Sequence, residues 1–176
     1  IHYLRGIDDV TAIRSELGSQ KRAVVVGAGY IGLEVAAVLH QCGLDVTVIE
    51  MADRVMSRVV SAEISDFYQI EHTSRGVHLR LSTGTVAFRG KSRVTAVETS
   101  DGELIEADFV VVGVGILPNV ELAAEAGLSV DDGVVVDERC QSDDPDIYAI
   151  GDCTAHPNAI YGRRLRLESV HNALEQ

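Results

Sequence analysis

The 176-residue sequence is poor in several residue types that mark particular classes of protein. It has no tryptophan, three prolines and three widely separated cysteines, Cys42, Cys140 and Cys153. Neither the cysteines nor the six histidines show the spacing of metal ligands, so we predict no metal site and a reduced, cytoplasmic protein. No apolar run approaches the roughly 18 residues that a membrane helix needs, and the first residues do not show the pattern of a signal peptide.

Positive charge is also scarce, because 15 Lys and Arg residues face 27 Asp and Glu residues and give a net charge of −12. Nucleic acids and anionic membranes bind basic surfaces, so we predict neither as a partner. The chain begins with Ile1 and stops inside a helical pattern at residues 169–176. We therefore expect it to be a piece of a longer polypeptide.

The strongest pattern present is an apolar run that enters the turn G-A-G-Y-I-G at residues 27–32 and continues into a helical pattern. In such a turn Gly27 permits the sharp bend, Gly29 lets backbone amides approach a diphosphate, and Gly32 lets the helix pack close to its strand. The start of the helix adds unpaired N–H donors and partial positive charge. A second apolar run ends at Glu50, so the pattern predicts a dinucleotide site.

Glu50 also indicates which dinucleotide is bound. Its carboxylate can accept hydrogen bonds from both ribose hydroxyls, and it would repel a 2′-phosphate, so we predict NAD. Arg54 is the one feature that favours NADP. The alternative, a solvated loop cation, is the interpretation we prefer.

The remaining periodicities predict a parallel sheet interrupted by an antiparallel meander. We expect the meander to consist of residues 77–82, 86–88 and 93–100, and a buried strand to cover residues 104–115. Further helices are predicted at 8–17, 61–74, 121–126 and 169–176, and further strands at 133–137 and 147–150. The composition changes after about residue 139, which suggests that the nucleotide domain covers residues 20–139.

Two other strand ends carry glycines. The turn around Gly113 and Gly115 follows a buried run, and Gly151 and Asp152 follow another. At the carboxyl edge of a parallel sheet such residues can contact a ligand. From the residues alone, a plain turn explains the first segment equally well and is the preferred explanation of the second.

Four segments, residues 24–50, 109–128, 147–153 and 166–176, resemble the FAD-dependent pyridine-nucleotide oxidoreductases. The most discriminating is R-L-E-S-V-H-N-A at residues 166–173, which is similar to the NADH-dependent ferredoxin reductases that supply cytochrome P450 or ring-hydroxylating oxygenases. The resemblance implies an α/β fold with a Rossmann-like parallel sheet and an antiparallel β-meander crossover. Residues 1–19 and 140–176 would then be flanking pieces of an interrupted FAD domain.

The resemblance also assigns cofactor-binding residues, whereas hydride transfer between cofactors requires no catalytic residue of the protein. Glu34 would face the nicotinamide, although an acid in the first turn of a helix has a structural explanation too. NAD would contact Gly27, Gly29, Tyr30, Ile31, Gly32, Glu34, Glu50 and Gly115, and FAD would contact Arg5, Asp152 and the backbone of Val170. The family's first glycine motif and its C-terminal domain are missing from this sequence. We therefore expect the purified chain to be colourless, and a stoichiometric yellow flavin absorbance would contradict this.

The implied electron acceptor is a [2Fe–2S] ferredoxin. Arg163, Arg164 and Arg166 form a dense basic cluster on an acidic chain, which could dock an acidic ferredoxin. A solvated turn or internal ion pairs would explain the cluster equally well. If the cluster docks ferredoxin, Arg164→Glu should raise KM for ferredoxin and spare ferricyanide reduction.

Other functions remain open at this point. Within the same superfamily these are coenzyme A disulfide reductases, nitrite reductase flavin subunits and oxidoreductases like apoptosis-inducing factor. A non-catalytic NAD-sensing module is the alternative from a different class. The segments at residues 151–152 and 168–173 favour an enzyme, because a sensor needs no flavin contacts.

Overall fold

The computed structural model describes residues 1–18 and 20–176, which form two compact units, Ile1–Gly115 and Ile116–Gln176. The strands of the first unit are β1 (His2–Tyr3), β2 (Arg22–Val26), β3 (Asp45–Ile49), β4 (His78–Arg80), β5 (Thr85–Gly90), β6 (Val94–Thr99), β7 (Leu104–Glu106) and β8 (Phe109–Val112). Its helices are α1 (Ile7–Ser15), α2 (Tyr30–Gln41) and α3 (Ala62–Ser74). The second unit contains α4 (Glu121–Glu125), β9 (Val134–Val135), a 3-10 turn (Gly151–Cys153), β10 (Thr154–Asn158), β11 (Arg163–Leu165) and α5 (Val170–Glu175).

A five-stranded parallel sheet organises the first unit, with the strand order β1-β8-β2-β3-β4. Because all five strands run in one direction, the carboxyl ends of β2, β3 and β8 meet at one edge. The predicted α/β fold with a Rossmann-like sheet and a meander crossover is confirmed.

The sheet is covered on both of its faces, which explains why its central strands β2 and β8 are apolar without alternation. One face packs against α2 through Val25, Val46, Val48, Phe109, Leu33, Ala36 and Leu39. The other face packs against the meander through Val24, Val26, Ile49, Val110 and Val97.

The meander consists of β5, β6 and β7, which pair antiparallel in that order. Residues 77–82 were predicted as its first strand, and this is wrong. Instead β4 pairs parallel with β3, with Thr47 opposite His78, and completes a β-α-β crossover through α3. The segment joins this sheet because Val77 and Leu79 pack into the core on the α2 side.

Two further strand predictions need correction. Residues 104–115 form two strands rather than one, since the chain leaves the meander after β7 and enters the parallel sheet at β8. Asp108 marks the break, where its carboxylate accepts the Arg22 N–H at 2.8 Å. Residues 147–150 form no strand, and only a single bridge joins Tyr148 to Gln141.

The second unit has a small sheet in which β10 lies between β11 and β9. The 3-10 turn packs against α5, because a Cβ on Gly151 would lie 3.4 Å from the Ala173 Cβ. Among the described residues no helix is long and apolar enough to cross a membrane. The domain limits proposed from the sequence stay predictions.

Candidate nucleotide site

Gly27 ends β2 in a conformation that only glycine adopts easily, with φ at +100°. A Cβ at this position would stand 2.9 Å from the carbonyl carbon of Gly113, and closer still to its oxygen. The backbones that leave β2 and β8 are therefore in direct contact. The Gly113 N–H donates to the Val26 carbonyl at 2.8 Å and fixes this approach.

The other two glycines of the turn play different roles. A Cβ on Gly32 would lie 3.0 Å from the Gly27 carbonyl carbon and closer to its oxygen, so α2 can sit this near to the turn only with glycine there. A Cβ on Gly29 would meet no atom within 4 Å. Gly29 is thus open to solvent or ligand, directly before the first turn of α2.

The beginning of α2 provides hydrogen-bond donors. Gly29 is its N-cap and has no side chain to satisfy the first amides. The first intrahelical bond runs from the Leu33 N–H to the Gly29 carbonyl at 3.0 Å, which leaves the amides before Leu33 without a helical acceptor. Tyr30 and Ile31 have exposed side chains at this edge. An anion above Gly29 would therefore meet several N–H groups at a positive helix end.

Glu50 follows β3 and is held by two backbone donors. One carboxylate oxygen accepts the Ala28 N–H at 2.7 Å, and the other accepts the Ala52 N–H at 2.8 Å. Each oxygen keeps a second lone pair for a further donor. The side chain is thereby fixed beside the glycine turn.

Glu34 and Gly115 lie at the same edge of the sheet. Because α2 begins at Tyr30, Glu34 is the fifth residue of the helix, and its expected place in the first turn is wrong by one residue. Because Glu34 lies beyond the first turn, the preference for acids in that turn does not account for it, and its side chain is exposed. Gly115 follows β8 with φ at +118°.

Arg54 does not lie free in a loop. Its guanidinium donates to the carbonyls of Ser57 and Val60 and to the Ser65 hydroxyl, at 2.8, 2.9 and 2.6 Å. Ser65 is fully buried and donates in turn to the Val55 carbonyl at 2.6 Å. Arg54 therefore organises the segment between β3 and α3, which argues against a role in 2′-phosphate binding.

The residues assigned to FAD lie in both units. Arg5 is an exposed residue of the first unit. Its N–H, together with that of Gly6, donates to the Asp9 carboxylate at 2.8 Å. The hydrogen bond from Gly6, and then the bond from Arg5, lower the pKa of the Asp9 carboxyl group below its usual value.

In the second unit, Asp152 and Val170 are both exposed and lie on the packed pair formed by the 3-10 turn and α5. Gln176 joins this pair, and no pattern in the sequence indicates that role. Its side-chain oxygen accepts the Gly151 N–H at 2.7 Å and the Thr154 hydroxyl at 3.2 Å.

The basic cluster divides into three different environments. Arg166 is only 10% exposed and pairs with Asp132 and Glu168. Arg164 donates to the carbonyls of Val136 and Ala155. Arg163 is exposed, and none of the described residues forms an ion pair with it. Internal pairing thus accounts for Arg166, while Arg163 is available to a partner.

Comparison with known proteins places these features in a family. The model of the pyridine nucleotide-disulphide oxidoreductase family matches residues 1–176. Rhodocoxin reductase from Rhodococcus erythropolis is 48% identical over 100% of this chain, and putidaredoxin reductase from Pseudomonas putida is 45% identical over 99%. The chain spans 42% of the length of each of these relatives.

A solved structure gives the same result. The covalent putidaredoxin reductase–putidaredoxin complex contains a chain that superimposes with a TM-score of 0.94 at 44% identity, over 99% of this chain and 43% of that chain. The expectation of an oxidoreductase family that uses pyridine nucleotide and FAD is confirmed at the level of the family. The chain belongs to the pyridine nucleotide-disulphide oxidoreductases.

Proposed function

We propose that this chain is the NAD(H)-binding part of a flavoprotein reductase. The observation that carries this proposal is the geometry around Gly29, where open space, unpaired helix amides and the fixed Glu50 carboxylate lie at one edge of the sheet. The diphosphate of the nucleotide would rest on the amides, and Glu50 would hold the ribose. Since Arg54 is committed to internal acceptors, NAD is preferred to NADP.

The proposed reaction carries electrons from NADH through FAD to a [2Fe–2S] ferredoxin that serves a cytochrome P450 or a ring-hydroxylating oxygenase. A bound flavin would supply the conversion between hydride and single-electron transfer. The chain's own residues would position the two cofactors, with Asp152 and Val170 as candidate flavin contacts in the second unit. The similarity to rhodocoxin and putidaredoxin reductases supports this branch.

Calorimetry with the 176-residue chain tests nucleotide binding directly. We expect NADH to bind at least tenfold more tightly than NADPH, because Glu50 repels the extra phosphate. A preference for NADPH, or no binding of either nucleotide, would overturn the proposal.

Docking of the ferredoxin is proposed to involve Arg163, whose side chain is exposed and forms no hydrogen bond or ion pair with the described residues. Arg164 is a poorer probe than the sequence suggested, because its reversal would also remove hydrogen bonds within the second unit. A titration of the chain with a [2Fe–2S] ferredoxin, followed by NMR at low and high salt, measures the contact. Arg163→Glu should weaken binding at low salt, and Arg139→Glu, another exposed arginine of this unit, should not. Equal effects of both variants would contradict docking at Arg163.

A further inference from the structure

One basic side chain lies at the edge of the sheet where the nucleotide is proposed to bind, although it is not part of the glycine motif. Arg58 is exposed and belongs to the segment between β3 and α3. Its Nη2 atom lies 3.5 Å from the point where a Cβ on Gly115 would stand. Gly115 follows β8, so the guanidinium reaches the edge at which β2, β3 and β8 all end.

The backbone leading to Arg58 is held in place against the glycine turn. The Met56 N–H donates to the Ala28 carbonyl at 2.9 Å, and Met56 itself is 4% exposed. Met56 adopts a φ of 48°, which a residue with a side chain takes up only where its surroundings impose it. The segment therefore runs from Glu50, past the glycine turn, to the end of β8, and brings Arg58 beside the turn.

The charges at this edge of the sheet indicate a role for the Arg58 guanidinium in binding an anionic ligand. The two acidic side chains assigned to the site, Glu34 and Glu50, are negative, and the whole chain carries a net charge of −12. A dinucleotide brings two further negative charges on its diphosphate. Arg54 cannot offset them because its donors are used internally. Arg58, in contrast, has no ion-pair partner among the described residues.

We propose that Arg58 binds the diphosphate of the nucleotide, opposite the amides of α2. This inference rests on the proposed NAD(H) site and adds a residue to it. Guanidinium groups form paired, charge-assisted hydrogen bonds with phosphate oxygens. The contact would select ligands that contain an adenosine diphosphate group and would be indifferent to the nicotinamide.

The test compares Arg58→Gln with the parent chain and with Arg14→Gln, an exposed arginine on α1. Calorimetry gives the affinities for NADH and ADP, and NMR titration of the labelled chain gives the weaker affinity for adenosine. We expect Arg58→Gln to weaken NADH and ADP by roughly tenfold each, as one charge-assisted contact at a partly exposed site allows. Adenosine should bind unchanged, and Arg58→Lys should recover part of the loss.

Unchanged affinities in Arg58→Gln would overturn this inference, as would an equal loss for adenosine, which lacks phosphate. An equal loss in Arg14→Gln would also overturn it, since that result would reflect only net charge. Failure of the parent chain to bind NADH is a separate outcome, which rejects the nucleotide site itself. Thermal unfolding of each variant verifies that the fold is intact.

Discussion

Replacing Gly32 with alanine tests the claim that this glycine serves packing. The new methyl would lie 3.0 Å from the Gly27 carbonyl carbon and nearer to its oxygen, and backbone atoms cannot rotate away as a side chain could. Helix α2 would have to move off the turn, and because the obstacle is rigid backbone we take the upper part of the range for overpacking, about 2–3 kcal/mol. Alanine is about 1 kcal/mol more favourable than glycine within a helix, so we expect the free energy of unfolding to fall by roughly 1–2 kcal/mol.

Gly29→Ala is the matched control, because it adds the same methyl where no atom lies within 4 Å. The φ of Gly29 is −80°, which alanine adopts without strain. Alanine is a poorer N-cap than glycine, so stability should fall by about 1 kcal/mol or less. The methyl would occupy the space in which a diphosphate approaches the amides, and NADH affinity should fall by roughly tenfold or more.

Thermal unfolding and calorimetry with NADH separate the two effects. Gly32→Ala should lower Tm by roughly 2–8 °C, whereas Gly29→Ala should keep most of the stability and lose most of the affinity. Two results would refute the reasoning: a Gly32→Ala variant as stable as the parent, or a Gly29→Ala variant that binds NADH normally.

Three further substitutions test other parts of the structure. Glu50→Gln should destabilise the chain by about 1–3 kcal/mol, because a side-chain amide has one oxygen and cannot accept from both the Ala28 and the Ala52 N–H. It should also reduce the ratio of NADH affinity to NADPH affinity, and an unchanged ratio would count against a ribose contact. Arg54→Met should lower the unfolding free energy by about 1–3 kcal/mol and leave that ratio alone, and a shift toward NADH would restore a phosphate role. Burial, and then the charge of Arg75, lower the pKa of His72 below 6.5 in the folded chain. The folded state therefore favours the neutral imidazole, so the chain keeps its full stability above pH 6.5 and loses part of it as the pH falls below that value. Chemical denaturation at pH 7.5 and 5.5 should therefore show a smaller pH dependence in His72→Gln than in His171→Gln, and equal dependences would contradict the assignment.

The glycine turn could be predicted from the sequence because its spacing is local. The strand, the turn and the helix follow one another within twenty residues. Such a short unit brings Gly27 and Gly32 into contact through local geometry alone. The position of Glu50 follows from the same unit, since parallel strands end at one edge. These residues need no information from distant parts of the chain.

Pairing between distant segments could not be predicted in the same way. The sequence at residues 77–82 alternates like a meander strand, yet β4 joins the parallel sheet because α3 delivers it beside β3. One internal partner of Arg166, Asp132, lies 34 residues away in the sequence, and the approach of Arg58 to Gly115 spans 57 residues. No local periodicity reports contacts of this kind.

The place of β8 has a consequence for how the first unit assembles. This strand is the last of the five to be synthesised, and yet it inserts between β1 and β2, whose paired residues precede it by 109 and 86 positions. Until Phe109 emerges, β2 has an unpaired apolar edge on that side, and β1 lacks the one strand with which it pairs among the described residues, so both can associate with other nascent chains. Closure of the layer is therefore a late, long-range event, and slow folding is the expected signature of this topology.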